Sequence, residues 1–290
     1  MNTYTKVFWR KSILVLVTVV VLIGIALATI ATTHKPGVLW NMVASLYIKP
    51  PSAAAINGGF TTLPPGATLP TEQECAARVK RSSWEPRPDN TTANHQVPTQ
   101  EQIALLAPWN ETMGVDPKAN NLLLQITGNF TGTTDEILQW AACKWGIDEN
   151  IVRAEAVVES NWQQGFRGDY TNVKSYCPPG TWDGRGCYQS YGILQLKYYY
   201  FQSAWPMSRD DTAFSVEYVL GVIRTCYEGW TTYLNDRTPL PGYPRYHAGD
   251  IWGCLGRWYS GGWYDQGAVN YIRQVQAAYK DQAWLKPGFD

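Results

Sequence analysis

The stretch WGIDENIVRAEAVVES, residues 145–160, decides how this chain is read. Gly146 is a stop for one helix. Asp148 is placed to cap the next, because a short carboxylate accepts from the backbone N–H groups that open a helix. From Glu149 to about Asn161 the apolar positions Ile151, Val152, Ala154, Ala156, Val157 and Val158 form a stripe. Glu159 follows Val152 by seven residues and Ile151 by eight, so helical periodicity puts it on their side. Glu155, at i−4 from it, lies on the same side. A carboxylate ending an apolar stripe is partly desolvated, which raises its pKa and suits it to general-acid chemistry. A salt bridge or a helix-end charge is the plainer reading, since ion-pair networks perturb carboxylates too.

The flanks are helical as well. Thr133-Thr134-Asp135-Glu136 is a capping box, with Thr133 as N-cap and Glu136 reaching back to it, and predicts a helix through Ile137, Trp140, Ala141 and Cys143. Further helices are predicted at 211–227, led by Asp211 or Ser208, and at 266–284. Residues 162–206 read as loops, and 72–120 as irregular and rich in proline. Short helices joined by long loops give a mostly α body.

Composition narrows the class. The 290 residues are 45% apolar and only 17% charged, with 14 Trp, 18 Tyr and 7 Phe filling the gap. Net charge is zero, which argues against a nucleic-acid partner. Three histidines are few for a His-rich metal enzyme, and no metal or organic cofactor is implied. Five of the 24 basic residues and none of the 24 acidic ones fall in 1–71, so 72–290 carries net −5.

Ile13 to Ala31 is interrupted only by Thr18, Gly24 and Thr29. As a helix it would span about 29 Å, close to the ~30 Å hydrocarbon core of a bilayer. Lys6, Arg10 and Lys11 precede it, which keeps the N-terminus cytoplasmic. The expectation for 1–32 is therefore a membrane anchor or, with Ala26-x-Ala28 as a cleavage site, a signal segment. Residues 33–71, with Pro50, Pro51, Pro64, Pro65 and Pro70, read as a Pro/Gly-rich linker. Residues 72–290 are the extracytoplasmic body, either tethered or secreted. All six cysteines lie in it, an even number that reads as three disulfides in an exported chain. Cys177 and Cys187 bracket a Pro/Gly-rich loop and are expected to pair; Cys226 with Cys254 is a weaker expectation. Cys75 should tie the irregular segment to the rest.

Residues 145–160 resemble the first motif of the soluble lytic transglycosylases, relatives of goose-type lysozyme, in which a helix ends in Glu-Ser. Gly192-Ile193-Leu194-Gln195 is similar to their Gly-Leu-Met-Gln motif. Trp258-Tyr259-Ser260-Gly261-Gly262 is loosely similar to Ala-Tyr-Asn-x-Gly, and Tyr271 with Val275 to a Tyr and Val in the last helix. Order and rough spacing hold across 133–280, about half the chain. Leu194 and Ser260 depart from the family residues, and the longer gap after Glu-Ser holds the Cys177–Cys187 loop, read as an insertion on the rim of a cleft. The resemblance implies a lysozyme-like α domain with long disulfide-pinned loops. It also implies peptidoglycan glycan strands as partner and cleavage of the bond between N-acetylmuramic acid and N-acetylglucosamine. Between Glu155 and Glu159 it selects Glu159 as catalytic. It carries Ser160, Gly192, Gln195, Tyr259 and Tyr271 over as substrate-binding positions, with Tyr259 helping to orient Glu159. The protein is expected to act as a monomer.

Trp162, Trp182, Trp252, Trp258, Trp263 and Tyr264 are candidates for stacking on sugar faces, although any single Trp is more often core. Tyr198-Tyr199-Tyr200-Phe201 cannot all face one pocket and read mostly as packing. Three other functions compete. A true hydrolase would need a second carboxylate, Asp169 or Asp183, roughly 6.5–9.5 Å from the first in an inverting enzyme. A non-catalytic glycan-binding protein would keep the cleft without the chemistry. A cysteine peptidase with His247 as base is poor, because the cysteines are better used as bridges.

Overall fold

In the computed structural model, which describes residues 60–289, the longer helices begin where the sequence supplies caps. Five short or medium helices come first: α1 (Glu72–Arg78), α2 (Gln100–Ala104), α3 (Trp109–Thr112), α4 (Asn120–Leu123) and α5 (Thr134–Lys144). Then come α6 (Glu149–Ser160) and an antiparallel sheet of β1 (Arg167–Thr171), β2 (Cys187–Tyr191) and β3 (Leu196–Lys197), in that order. The last four helices are α7 (Met207–Asp210), α8 (Thr212–Tyr227), α9 (Ile251–Ser260) and α10 (Gln266–Asp281). The body is mostly helical, as expected.

The caps are the predicted ones. Glu136 accepts from the Thr133 backbone N–H at 3.1 Å while its own N–H donates to the Thr133 hydroxyl at 3.4 Å. Asp148 opens α6 by accepting from the N–H of Asn150 at 2.8 Å and of Ile151 at 3.4 Å. Asp211 caps α8 through Phe214 N–H at 2.8 Å. α6 ends at Asn161, whose φ of 52° turns the chain into the left-handed region.

Every residue of α8 is buried, so it forms the axis of the body and touches α5, α7 and α9. α6 packs on α5 and α10. The largest buried side chains are Trp109, Trp140, Trp145, Trp162 and Trp263. Gly221 of α8 lets two of them approach: a Cβ there would sit 2.8 Å from Trp109 and 3.0 Å from Trp145.

Three disulfides close the body: Cys75–Cys143, Cys177–Cys187 and Cys226–Cys254. The two expected pairs form, and Cys75 ties the proline-rich segment to α5. Three intramolecular bridges point to an oxidising, extracytoplasmic environment. Ile13–Ala31 lies outside the described residues, and no helix among the described residues is long and apolar enough to cross a membrane.

Two features depart from the sequence reading. The interval 162–206 holds the three-stranded sheet, and 251–260 is a helix that was not predicted. The body also begins before residue 72. The buried Arg224 guanidinium donates to the carbonyls of Leu63 at 3.0 Å and Pro64 at 2.9 Å, and Leu63 N–H donates to Gly146 O at 3.0 Å. The carbonyls of this short segment thus help satisfy a buried cation.

Candidate active site

Glu159 occupies the last turn of α6 and opens into a cleft of about 780 Å³ that also contains Asp169, Gln195, Lys197, Trp258 and Tyr259. Three elements fix its surroundings. The first is the turn Gly192–Gln195. Gly192 has φ 82°, and a Cβ there would meet the Ser215 hydroxyl at 2.3 Å, so glycine is required. Ser160 donates to Ile193 O at 2.8 Å, Trp258 Nε1 to Leu194 O at 3.1 Å, and Ile193 N–H to Gln164 Oε1 at 3.1 Å. The turn is thus tied to α6, α9 and the loop after α6. Gln195, itself at φ 52°, folds its amide back to donate to Gly192 O at 2.8 Å.

The second element is α10. Its Tyr271, 2% exposed, donates to Glu159 Oε1 at 2.6 Å and lies 3.5 Å from Glu155 Oε1. Tyr259 stacks on Tyr271 with ring centres 4.7 Å apart and planes 8° from parallel. The third is β1. Asp169, at φ 55°, accepts from the Ser190 hydroxyl at 2.7 Å and pairs with Lys197 at 3.0 Å.

These environments separate the carboxyls. Burial pushes Glu159 up to about 7, against the pull of the Tyr271 hydroxyl and with a further upward push from Asp169. Burial also works on Asp169, but Ser190 and Lys197 outweigh it and hold that carboxyl below its ordinary range. Glu155 is fully buried, and desolvation with the nearby Glu159 drives it well above the carboxylate range. Its Oε2 has no hydrogen-bond partner, as a neutral acid tolerates better than an anion. Tyr271 is pushed well above its ordinary value by burial and both carboxyls, so it stays protonated and can donate. Near neutral pH the cleft therefore holds one carboxyl poised to give or take a proton and one fixed anion.

The expected site residues divide. Glu159, Gln195 and Tyr259 reach the cleft. Ser160 and Gly192 are buried and shape the turn, so they are corrected from substrate contacts to positioning residues. Tyr271 is likewise corrected: it is buried, and it, not Tyr259, holds the Glu159 carboxyl. Of the aromatic candidates only Trp258 lines the cleft, whereas Trp162, Trp252, Trp263 and Tyr264 are core. Asp183 caps the N–H groups of Arg185 and Gly186 away from this cleft, leaving Asp169 as the second carboxylate in it. Lys197, Ser190 and Arg257 were missed; nothing in their sequence spacing marks them. Among the described residues no group of three metal-ligating side chains comes together.

No protein-family model, curated protein or solved structure matches this chain.

Proposed function

We propose that this protein cleaves the β-1,4 bonds of peptidoglycan strands as a lytic transglycosylase, with Glu159 as general acid and then general base. The observation that carries the reading is a carboxyl raised to about 7 at the wall of a cleft of about 780 Å³, held by the Tyr271 hydroxyl. The motif resemblance supplies the substrate class.

Glu159 gives its proton to the glycosidic oxygen as the bond to C1 breaks. The electron pair leaves with that oxygen, and positive charge develops on the ring. The sugar's own 6-hydroxyl then closes onto C1 and returns its proton to Glu159, leaving a 1,6-anhydro end. No water is consumed and one carboxyl serves both steps, which suits a group whose pKa lies near the working pH. Tyr271 stabilises the carboxylate formed between the steps, and the Asp169 anion faces the developing positive charge.

Asp169 also favours a second reading, hydrolysis. An ionised carboxylate in the same cleft is the group that would activate water in a two-carboxylate glycosidase. Digestion of purified peptidoglycan in ¹⁸O-labelled water separates the two. Unlabelled anhydro ends support transglycosylation, labelled reducing ends support hydrolysis through Asp169, and the absence of released fragments overturns both.

A further inference from the structure

A line of aromatic rings leaves the cleft and ends at Tyr176, beside the Cys177–Cys187 bridge. Trp258 and Phe201 stack inside the cleft at 5.8 Å, and Phe201 is followed by Tyr200, also on the wall, at 6.4 Å. Tyr200 meets Tyr199 at 4.9 Å, and Tyr199 meets Tyr176 at 4.5 Å. The outer three are not core: Tyr176, Tyr199 and Tyr200 are 37%, 40% and 56% exposed. Tyr176 immediately precedes Cys177, whose bridge to Cys187 anchors it at the start of β2. The run Tyr198–Phe201 is thus divided: Tyr198 packs on Trp205, Tyr200 and Phe201 line the wall, and Tyr199 continues the line outward.

Exposed rings in an unbroken line are costly to leave bare and informative when they continue an existing cleft. Their faces match the apolar faces of pyranose rings, and their hydroxyls offer hydrogen bonds at the edge. We propose that the line of rings beside the Cys177–Cys187 bridge is an accessory binding track, in which Tyr199 and Tyr176 stack on sugars of a glycan chain beyond those held in the catalytic cleft. The proposal rests on the glycan-cleaving reading and adds a preference for long strands over short ones. The occupant is the same polymer, because Tyr200 belongs to both cleft and track. The bridge fixes the chain next to Tyr176, and Tyr199 packs on that ring, so less ordering is needed on binding.

The test is the affinity and cleavage rate of the full, oxidised chain with a graded series of glycan oligosaccharides of alternating N-acetylglucosamine and N-acetylmuramic acid and with purified peptidoglycan. Wild type should bind and cleave better as the chain lengthens past the cleft. In the double variant Tyr176→Ala/Tyr199→Ala, kcat/KM on the polymer should fall on the order of tenfold, the loss of about one aromatic contact per ring. The shortest cleaved oligosaccharide should be processed at the wild-type rate, which also reports an intact fold. Tyr176→Phe/Tyr199→Phe should retain most of the length preference. If oligosaccharides are cleaved with no dependence on length or on these tyrosines, the track is refuted while the catalytic reading stands. If wild type neither binds nor cleaves any of them, both fall together.

Discussion

Replacing Glu159 by Gln keeps the side-chain shape and removes one ionisation. A carboxyl with its pKa at about 7 in the fold, against an ordinary 4.5, prefers its proton in the fold by about 3 kcal/mol, at roughly 1.4 kcal/mol per pH unit. The sign follows from linkage. At about pH 4 the group is protonated folded or unfolded and costs nothing. As pH rises through 4.5 the unfolded chain releases the proton that the fold still holds, so wild-type stability falls until the folded carboxyl ionises near 7. Glutamine is neutral throughout. Glu159→Gln should therefore match wild type at about pH 4 and exceed it by up to about 3 kcal/mol at about pH 8. Asp211, pushed up to about 8 by burial, titrates alike in both proteins and cancels; Glu155, raised in part by Glu159, loses that push in the variant, so the difference reads Glu159 together with its coupling to Glu155, both in the same direction. The assay is urea unfolding of the two proteins across this range with the bridges intact. A stability difference that does not change with pH would mean that the carboxyl is not desolvated, and the acid–base assignment would lose its basis.

The Tyr271 hydroxyl lowers the Glu159 pKa, so Tyr271→Phe should move the alkaline limb of the cleavage profile upward by about one pH unit, the worth of a hydrogen bond to a charged group; a pH–rate profile reads this. Gly192→Ala combines a left-handed backbone with a Cβ 2.3 Å from the Ser215 hydroxyl, and should cost about 2–4 kcal/mol in urea unfolding. Gly168→Ala pushes a Cβ to within 2.5 Å of the Gln195 side-chain oxygen and should lower activity with the circular dichroism spectrum unchanged. Opening Cys75–Cys143, which closes the longer loop, should cost about 4 kcal/mol against about 3 for Cys177–Cys187, measured as chemical unfolding of the paired Cys→Ala variants.

Helix starts were legible because a cap is a local device: Thr133, Asp148 and Asp211 each act on backbone N–H groups two or three residues away. Glu159 was legible for a related reason, since one helix's periodicity is enough to place it beside Ile151 and Val152. The sheet was not. β1 is largely exposed and interrupted by Asp169 at φ 55°, so it lacks the alternation that a half-buried strand shows. α9 is masked in the sequence by Gly253 and Gly256, since glycine weakens a helical signal. There they admit Trp263 and Ile272, at 2.3 and 2.8 Å from where a Cβ would be. The hold of Tyr271 on Glu159 spans 112 residues, and the pairing of Asp169 with Lys197 depends on strand register. Neither has a local signature. The aromatic excess was visible in the composition, but its division between core and cleft was not, because burial is decided by packing.

Catalysis as proposed requires Glu159 to deliver a proton to a glycosidic bond. The measurement that meets this head-on is the rate of fragment release from purified peptidoglycan by the oxidised protein across pH, beside the Glu159→Gln variant. A rate that falls above an apparent pKa of about 7, and is lost in the variant at every pH, is the predicted result. Release that persists in the variant, or that ignores pH through this range, would contradict it.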